Sequence, residues 1–265
     1  MRYAIKFAYD GSKFDGYARQ PGKRTVEGDI IKAMKFLGMI ESVGKSRLEG
    51  ASRTDRGVSA AGNVIALDTE FRGDAILKAL NSNLEGIVCH GIADVPDDFN
   101  PRHARQRWYR YFFQADGLPP TDELEKAAAY FTGKHDFRVF SKKDADKNTV
   151  LAIDSIEFSK RGKFIIVDIR AHRFLWELVR RLLSAILETA NDRLGPDMAE
   201  EMLAGIRHYP RGLKPLPPEF LVLMDVIYDF EFEHPVAAPD YFGDEARYLK
   251  QRSDVMKEIS EIIRV

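Results

Sequence analysis

Glu49-Gly50-Ala51-Ser52-Arg53-Thr54-Asp55-Arg56-Gly57-Val58-Ser59-Ala60-Ala61-Gly62-Asn63-Val64 sets one carboxylate in a short polar turn between two arginines, with an apolar, strand-like run from Val64 to Leu67 behind it. Arg53 and Arg56 can hold RNA phosphates, and Gly57, Ala60, Ala61 and Gly62 leave room for a bulky partner to approach the backbone. By itself the stretch equally suits a structural loop, because Asp and Gly are common turn formers. Its neighbours carry more information. Arg47 to Ser52 reads as a strand delivering Asp55 to its C-terminal end, and Asn63 to Phe71 as the strand returning from it.

Working outward, residues 2 to 8 read as a strand ending at the Asp10-Gly11-Ser12 turn. Thr25 caps a helix to about Gly38, with Glu27 and Asp29 in its first turn and Ile30, Ile31, Met34 and Leu37 on its apolar stripe. Asp74 to Leu84 is a second helix and Glu85 to Asp94 a further strand. The order strand, helix, strand, strand, helix, strand is that of a ferredoxin-like unit, an architecture common among RNA binders. Proline and a basic run (Arg102, His103, Arg105, Arg107, Arg110) interrupt the apolar pattern, placing a domain boundary between residues 103 and 104. The segment 1–103 is then one half, carrying the Asp55 loop, and 104–265 the other.

The second half repeats the alternation, so the expected fold class is α+β: two ferredoxin-like halves with mainly antiparallel sheets flanked by helices. From Ala104 to Phe113 the pattern is strand-like, and alternation puts Arg105, Arg107, Tyr109, Tyr111 and Phe113 on one face. Arginines among tyrosines are unusual for a packed core, where unpaired charge is costly. Thr121 to Phe137 reads as a helix capped by Thr121, followed by a charged loop Lys142–Asn148 expected to be mobile. Leu151 to Ser159 and Lys163 to Ala171 form a hairpin. Phe174 to Asn191 reads as a helix with Leu175, Leu178, Val179, Leu182, Leu183, Ile186 and Leu187 on its apolar face and Arg180 at that face's edge. A half-buried guanidinium there either reaches back to water or takes a carboxylate partner. A short helix from Pro196, a proline-broken basic loop (Arg207 to Pro218), a strand from Phe220 to Phe230 and a terminal helix from Tyr241 complete the chain. The terminal helix, with Leu249, Val255, Ile259, Ile262 and Ile263, is expected to pack on the body or on a second subunit.

The chain has 265 residues, 45% of them hydrophobic, enough for one large or two modest cores. Forty Lys plus Arg against forty-one Asp plus Glu give a net charge of −1, so any RNA binding depends on local clusters of basic residues. The single cysteine, Cys89, excludes an internal disulfide framework and a cysteine-built zinc site. Without an N-terminal signal or a long apolar run, a cytoplasmic protein with no membrane association is expected. There is no phosphate-binding glycine loop, dinucleotide fingerprint or clustered Cys/His set, and no cofactor or metal is implied.

Arg53-Thr54-Asp55-Arg56-Gly57-Val58, followed by Ala60, Gly62 and Val64, closely resembles the catalytic segment of the tRNA pseudouridine synthase A family. Tyr9-Asp10-Gly11 through Arg19-Gln20 resembles the family's opening segment, Tyr109-Arg110-Tyr111 its Tyr-x-Tyr segment, and Phe174-Leu175-x-x-Leu178-Val179-Arg180 its arginine helix. The likeness spans about residues 3 to 230. It implies a homodimer that binds tRNA and isomerises uridines 38, 39 or 40. In that likeness Asp55 acts on the ribose as nucleophile or base, Arg180 pairs with Asp55, and Tyr109 stacks on the target base. Arg19, Arg53, Arg56, Arg102, Arg105, Arg107 and Tyr17 are the expected RNA contacts. The chain departs from the family pattern at Tyr17, where Trp is usual, at Ser52, usually Gly, and at Ser59, Trp176 and Glu177, where histidines are common.

Overall fold

The structure is a computed structural model. It describes every residue except 143–147, 207–208, 210–211, 235–238 and 263–265, and of 258–262 only the backbone. Most of the charged loop Lys142–Asn148, the residues Arg207, His208, Pro210 and Arg211 of the basic loop, and the side chains of Ile259, Ile262 and Ile263 therefore lie outside the described residues.

The first half runs β1 (Arg2–Tyr9), α1 (Val26–Phe36), β2 (Glu49–Gly50), β3 (Ser59–Asp68), α2 (Gly73–Asn81) and β4 (Ile87–Asp94). The second runs β5 (Gln106–Gln114), α3 (Thr121–Ala129), β6 (Gly133–Asp136), β7 (Val150–Arg161), β8 (Phe164–Ala171), α4 (Leu178–Ala190), α5 (Pro196–Leu203), β9 (Leu221–Ile227) and α6 (Tyr241–Ile262). The strands share one sheet in the order β4-β1-β3-β9-β5-β8-β7-β6, with β2 beside β3. Each half places its first strand between its third and fourth, the ferredoxin-like order, and β6 is added at the outer edge. All neighbours are antiparallel except at the seam, where β3 and β9 run parallel through Ser59–Val222 and Ala60–Leu223.

Local chemistry explains the main elements. The Thr25 side chain accepts a hydrogen bond from the Gly28 amide and caps α1, whose Val26, Ile30, Ile31, Ala33 and Met34 are buried. On β5, Arg107, Tyr109 and Tyr111 face inward while Trp108 and Arg110 face outward. The helix α4 buries Leu178, Val179, Leu182, Leu183, Ala185 and Ile186, each large aliphatic contributing roughly 1.5–3 kcal/mol.

Several boundaries differ from the sequence pattern. The helix expected to reach Phe137 ends at Ala129, because Gly133 adopts a left-handed φ of +99° and starts the four-residue strand β6. Thr121 is its first helical residue, and Pro120 is the cap. The strand expected over Arg47–Ser52 shrinks to Glu49–Gly50, since Arg47 turns with a φ of 40°. The helix expected from Phe174 starts at Leu178, after Glu177 in the left-handed region. Of the terminal helix's apolar residues whose side chains are described, Leu249 and Val255 stay about half exposed, and a Lys13–Glu245 ion pair of 2.9 Å ties the helix to the first half. No helix among the described residues is long and apolar enough to cross a membrane.

Beyond β9 the chain crosses the outer face of the first half, where Phe99, Tyr228, Phe230 and Phe232 interlock and Glu233 pairs with Ile92. Here His90 stacks on His234 with ring centres 5.8 Å apart and its Nε2 lies 2.8 Å from the Ala61 carbonyl. Burial pushes the His90 imidazole below its usual range, the Ala61 contact opposing. The unfolded chain therefore binds this proton more readily, and stability falls as pH drops below about 6.5, the ordinary imidazole value. Melting scans between about pH 7 and about pH 5 should show a drop in Tm that His90→Gln flattens.

Candidate active site

Asp55 sits in the turn between β2 and β3, a loop whose geometry is fixed from below. Tyr9 Oη and Thr54 Oγ1 are 2.7 Å apart and buried, Asn63 Nδ2 donates to the Ser52 carbonyl at 2.9 Å, and the Tyr17 amide donates to the Thr54 carbonyl at 3.2 Å. These bonds spend the loop's polar groups inward and leave Asp55 half-buried with its carboxylate facing α4. There Arg180 Nη2 donates to Asp55 Oδ2 at 2.7 Å, across 125 residues of sequence. The Arg180 side chain is 9% exposed and that of Asp55 25%. The arginine edging the apolar face thus takes a carboxylate partner.

Arg180 is held on two further sides. Its Nη1 donates to the Leu216 carbonyl at 2.9 Å, and Glu177 Oε1 lies 3.6 Å from Nη2. Its Nε is buried with no hydrogen-bond partner. A nearly buried cation shared by two carboxylates favours a fixed charge distribution, and the planar fork fixes which Asp55 oxygen is engaged. The other carboxylate oxygen, Oδ1, takes no part in this bond.

Tyr109 on β5 completes the group. Its ring is 7% exposed and meets the Phe174 ring edge to face at 5.0 Å. Burial pushes its hydroxyl well above the usual phenol range; Arg107 pulls the other way and nearby Asp55 adds to the rise. Burial thus favours the protonated phenol. Tyr111 is buried, packs against Phe113 and donates its hydroxyl to the Pro217 carbonyl at 3.1 Å.

Two expected RNA contacts prove structural. Tyr17 is 2% exposed, and its hydroxyl lies so close to Gly50 that a Cβ there would come within 2.0 Å of it, so its ring cannot offer a face to a base. Arg107 is likewise buried. Its guanidinium donates to Ser52 Oγ at 2.9 Å, to the carbonyls of Ala51 at 3.1 Å and Arg102 at 2.9 Å, and to the carbonyl of His172. Burial lowers its pKa, opposed by Tyr109 and Tyr228. Alternation along β5 placed this side chain correctly; the error lay in equating arginine with solvent. By contrast Arg19, Arg53, Arg56, Arg102 and Arg105 are exposed. Arg56 lies 3.6 Å from Asp15, Arg19 lies 3.3 Å from Glu27, and Arg105 lies 3.8 Å from Asp229.

The pattern did not disclose Glu177, which bridges Arg180 and Arg181, nor the Tyr9–Thr54–Asn63 support beneath the loop. A carboxylate three and four residues before two arginines was the available signal for Glu177.

The half-buried Asp55 carboxylate held by the nearly buried Arg180, near Tyr109 and at the seam of two ferredoxin-like halves, is the arrangement expected of a pseudouridine synthase, an isomerase of RNA uridines. Comparison with known proteins agrees. The family model described as tRNA pseudouridine synthase matches residues 127–229. The tRNA pseudouridine synthase A of Thermococcus kodakarensis is 38% identical over 99% of this chain and 95% of its own. Those of Thermococcus sibiricus and Pyrococcus furiosus are 43% and 41% identical, each over 86% of this chain and covering 85% and 84% of their own lengths. The chain belongs to the tRNA pseudouridine synthase A family. A solved Cbf5-Nop10-Gar1 complex has a TM-score of 0.37 at 13% identity, over 68% of this chain and 43% of that one, too remote to add weight.

Proposed function

We propose that this protein converts uridines 38, 39 or 40 of the tRNA anticodon arm to pseudouridine, with Asp55 acting on the ribose, Arg180 orienting it and Tyr109 stacking on the uracil. The observation that carries the assignment of residues is the 2.7 Å Asp55–Arg180 pair, formed by a nearly buried arginine from the other half of the chain. The reaction needs cleavage of the N-glycosidic bond, a pocket in which the freed uracil turns, and acid/base help at C5. Asp55 serves the first by attack on C1′ or removal of the C2′ proton, Tyr109 lines the pocket for the second, and Asp55 or Tyr109 stands near enough for the third. The exposed Arg53, Arg56, Arg102 and Arg105 can meet phosphates, Arg56 and Arg105 by exchanging their surface pairs with Asp15 and Asp229, and Arg19 joins Lys23, Arg24 and Lys32 along a groove. The protein acts as a homodimer in a cytoplasmic compartment, and the exposed Tyr248, Leu249, Val255 and Met256 of α6 offer apolar surface to a second copy.

The test is tritium release from C5 of unmodified tRNA transcripts, each carrying uridine at only one of positions 38, 39 and 40. Release from at least one is expected, and release only from transcripts lacking an anticodon arm would sink the positional assignment. Sedimentation of the purified protein as a monomer at micromolar concentration would remove the homodimer.

Arg180→Met tests the arginine separately. Because this side chain is 9% exposed, it has no free face for a phosphate. Turnover should fall ~100-fold with tRNA affinity within about threefold of native, as expected for a group that stabilises a reacting charge rather than binding substrate. A loss in affinity with kcat preserved would instead make Arg180 an RNA contact.

A further inference from the structure

Trp176 is 44% exposed, an uncommon setting for so large an apolar ring. The backbone is bent to place it there. Glu177, the next residue, adopts the left-handed conformation (φ 61°, ψ 3°), which is strained for a non-glycine residue. That turn tucks the Glu177 carboxylate under the first turn of α4, where it accepts from Arg181 and neighbours Arg180, and leaves the indole outside. Strain kept at one such point is commonly tied to function.

Two contacts define the indole's setting. The Lys142 amide donates to the Trp176 carbonyl at 2.9 Å, and Lys142 Nζ lies 4.1 Å from the ring centroid, so a cation sits over this part-exposed ring. Phe174, two residues earlier, is the ring that meets Tyr109. Glu177, the next residue, neighbours Arg180, so Trp176 is flanked in sequence by two residues that touch the Asp55–Arg180–Tyr109 group. A uridine taken out of its stack leaves the bases beside it without a partner. A part-exposed aromatic ring with an adjacent ammonium is the equipment that holds such a base and its phosphate.

We propose that Trp176 is a stacking platform for a nucleobase bordering the target uridine, with Lys142 meeting the adjoining phosphate. This rests on the reading of the substrate as RNA. The platform accepts any base, because every base has a π-face, so it contributes hold and orientation without selecting sequence.

The chain has two tryptophans, which makes the indole its own reporter. Trp108 lies on the outward side of β5, hydrogen-bonded to Asp168 and flanked by Arg110 and Arg170. Titrating the native protein with unmodified tRNA transcript should quench tryptophan emission. Trp176→Phe should abolish the quench while binding, followed by filter retention, stays within about threefold. In tritium release, Trp176→Ala should raise KM ~10-fold with kcat within about twofold, and Trp176→Phe should restore most of the loss. Equal emission changes in native and Trp176→Phe titrations, or a KM for Trp176→Ala within twofold of native, would overturn the proposal. Native protein that is quenched by the transcript yet releases no tritium would leave the platform standing and remove the catalytic reading.

Discussion

Asp55→Asn is expected to bind tRNA transcript as native protein does and to form pseudouridine at least ~1,000-fold more slowly, since the variant keeps the shape of the side chain and loses its charge and nucleophilicity. An amide oxygen can still accept from Arg180, so the turn between β2 and β3 keeps its frame of Tyr9, Thr54 and Asn63. Arg180 retains Glu177 at 3.6 Å as a counter-charge, which limits the cost of leaving a buried cation short of one partner. Unfolding should therefore shift only slightly. Tritium release measured beside filter binding separates the two effects. A variant retaining more than about a tenth of native turnover would move the reacting group elsewhere.

Arg107→Met should produce the largest loss of stability. The replacement has similar volume, yet it strands the Ala51 carbonyl and the Ser52 hydroxyl in the interior and the carbonyls of Arg102 and His172 in a part-buried setting. Each stranded acceptor costs about 1–3 kcal/mol, and relaxation recovers part of that, so a net cost of about 3–5 kcal/mol is expected. For a chain of this size that lowers Tm by roughly 6–15 °C in a thermal scan. Below the new midpoint, tRNA affinity should stay within about twofold of native. An unchanged Tm with weakened tRNA binding would return Arg107 to the RNA contacts.

The contrast between Arg107 and Arg180 shows what a sequence discloses. Both lie where alternation or helical spacing places them on or beside an apolar face. For Arg180 helical spacing left open water or a carboxylate, and the likeness to the family supplied the pairing with Asp55. For Arg107 the partners are main-chain oxygens from three separate segments, and no residue type announces a free carbonyl. Tyr17 misleads for a related reason: its segment mixes cations and rings as an RNA surface would, but the absent side chain at Gly50 draws the ring inward. The ferredoxin-like order of both halves was legible because Ile, Leu and Val recur at regular intervals. The four-residue β6 and the unwound start of α4 were not. Each hangs on a single backbone conformation, at Gly133 and Glu177, that periodicity does not register.

The placement of β9 bears on how the protein comes into being. It is the last strand of the sheet to be synthesised, yet it lies between β3 and β5, both made more than 100 residues earlier. A nascent chain leaving the ribosome as far as α5 already contains Asp55, Tyr109 and Arg180, but the two half-sheets lack the strand that seams them. Pairing of Ser59 with Val222 must await closure of a loop of roughly 160 residues, an entropic step that slows assembly. Catalytic competence is therefore expected only late in synthesis, and a chain truncated before residue 221, which lacks β9, is expected to release no tritium from C5-labelled tRNA.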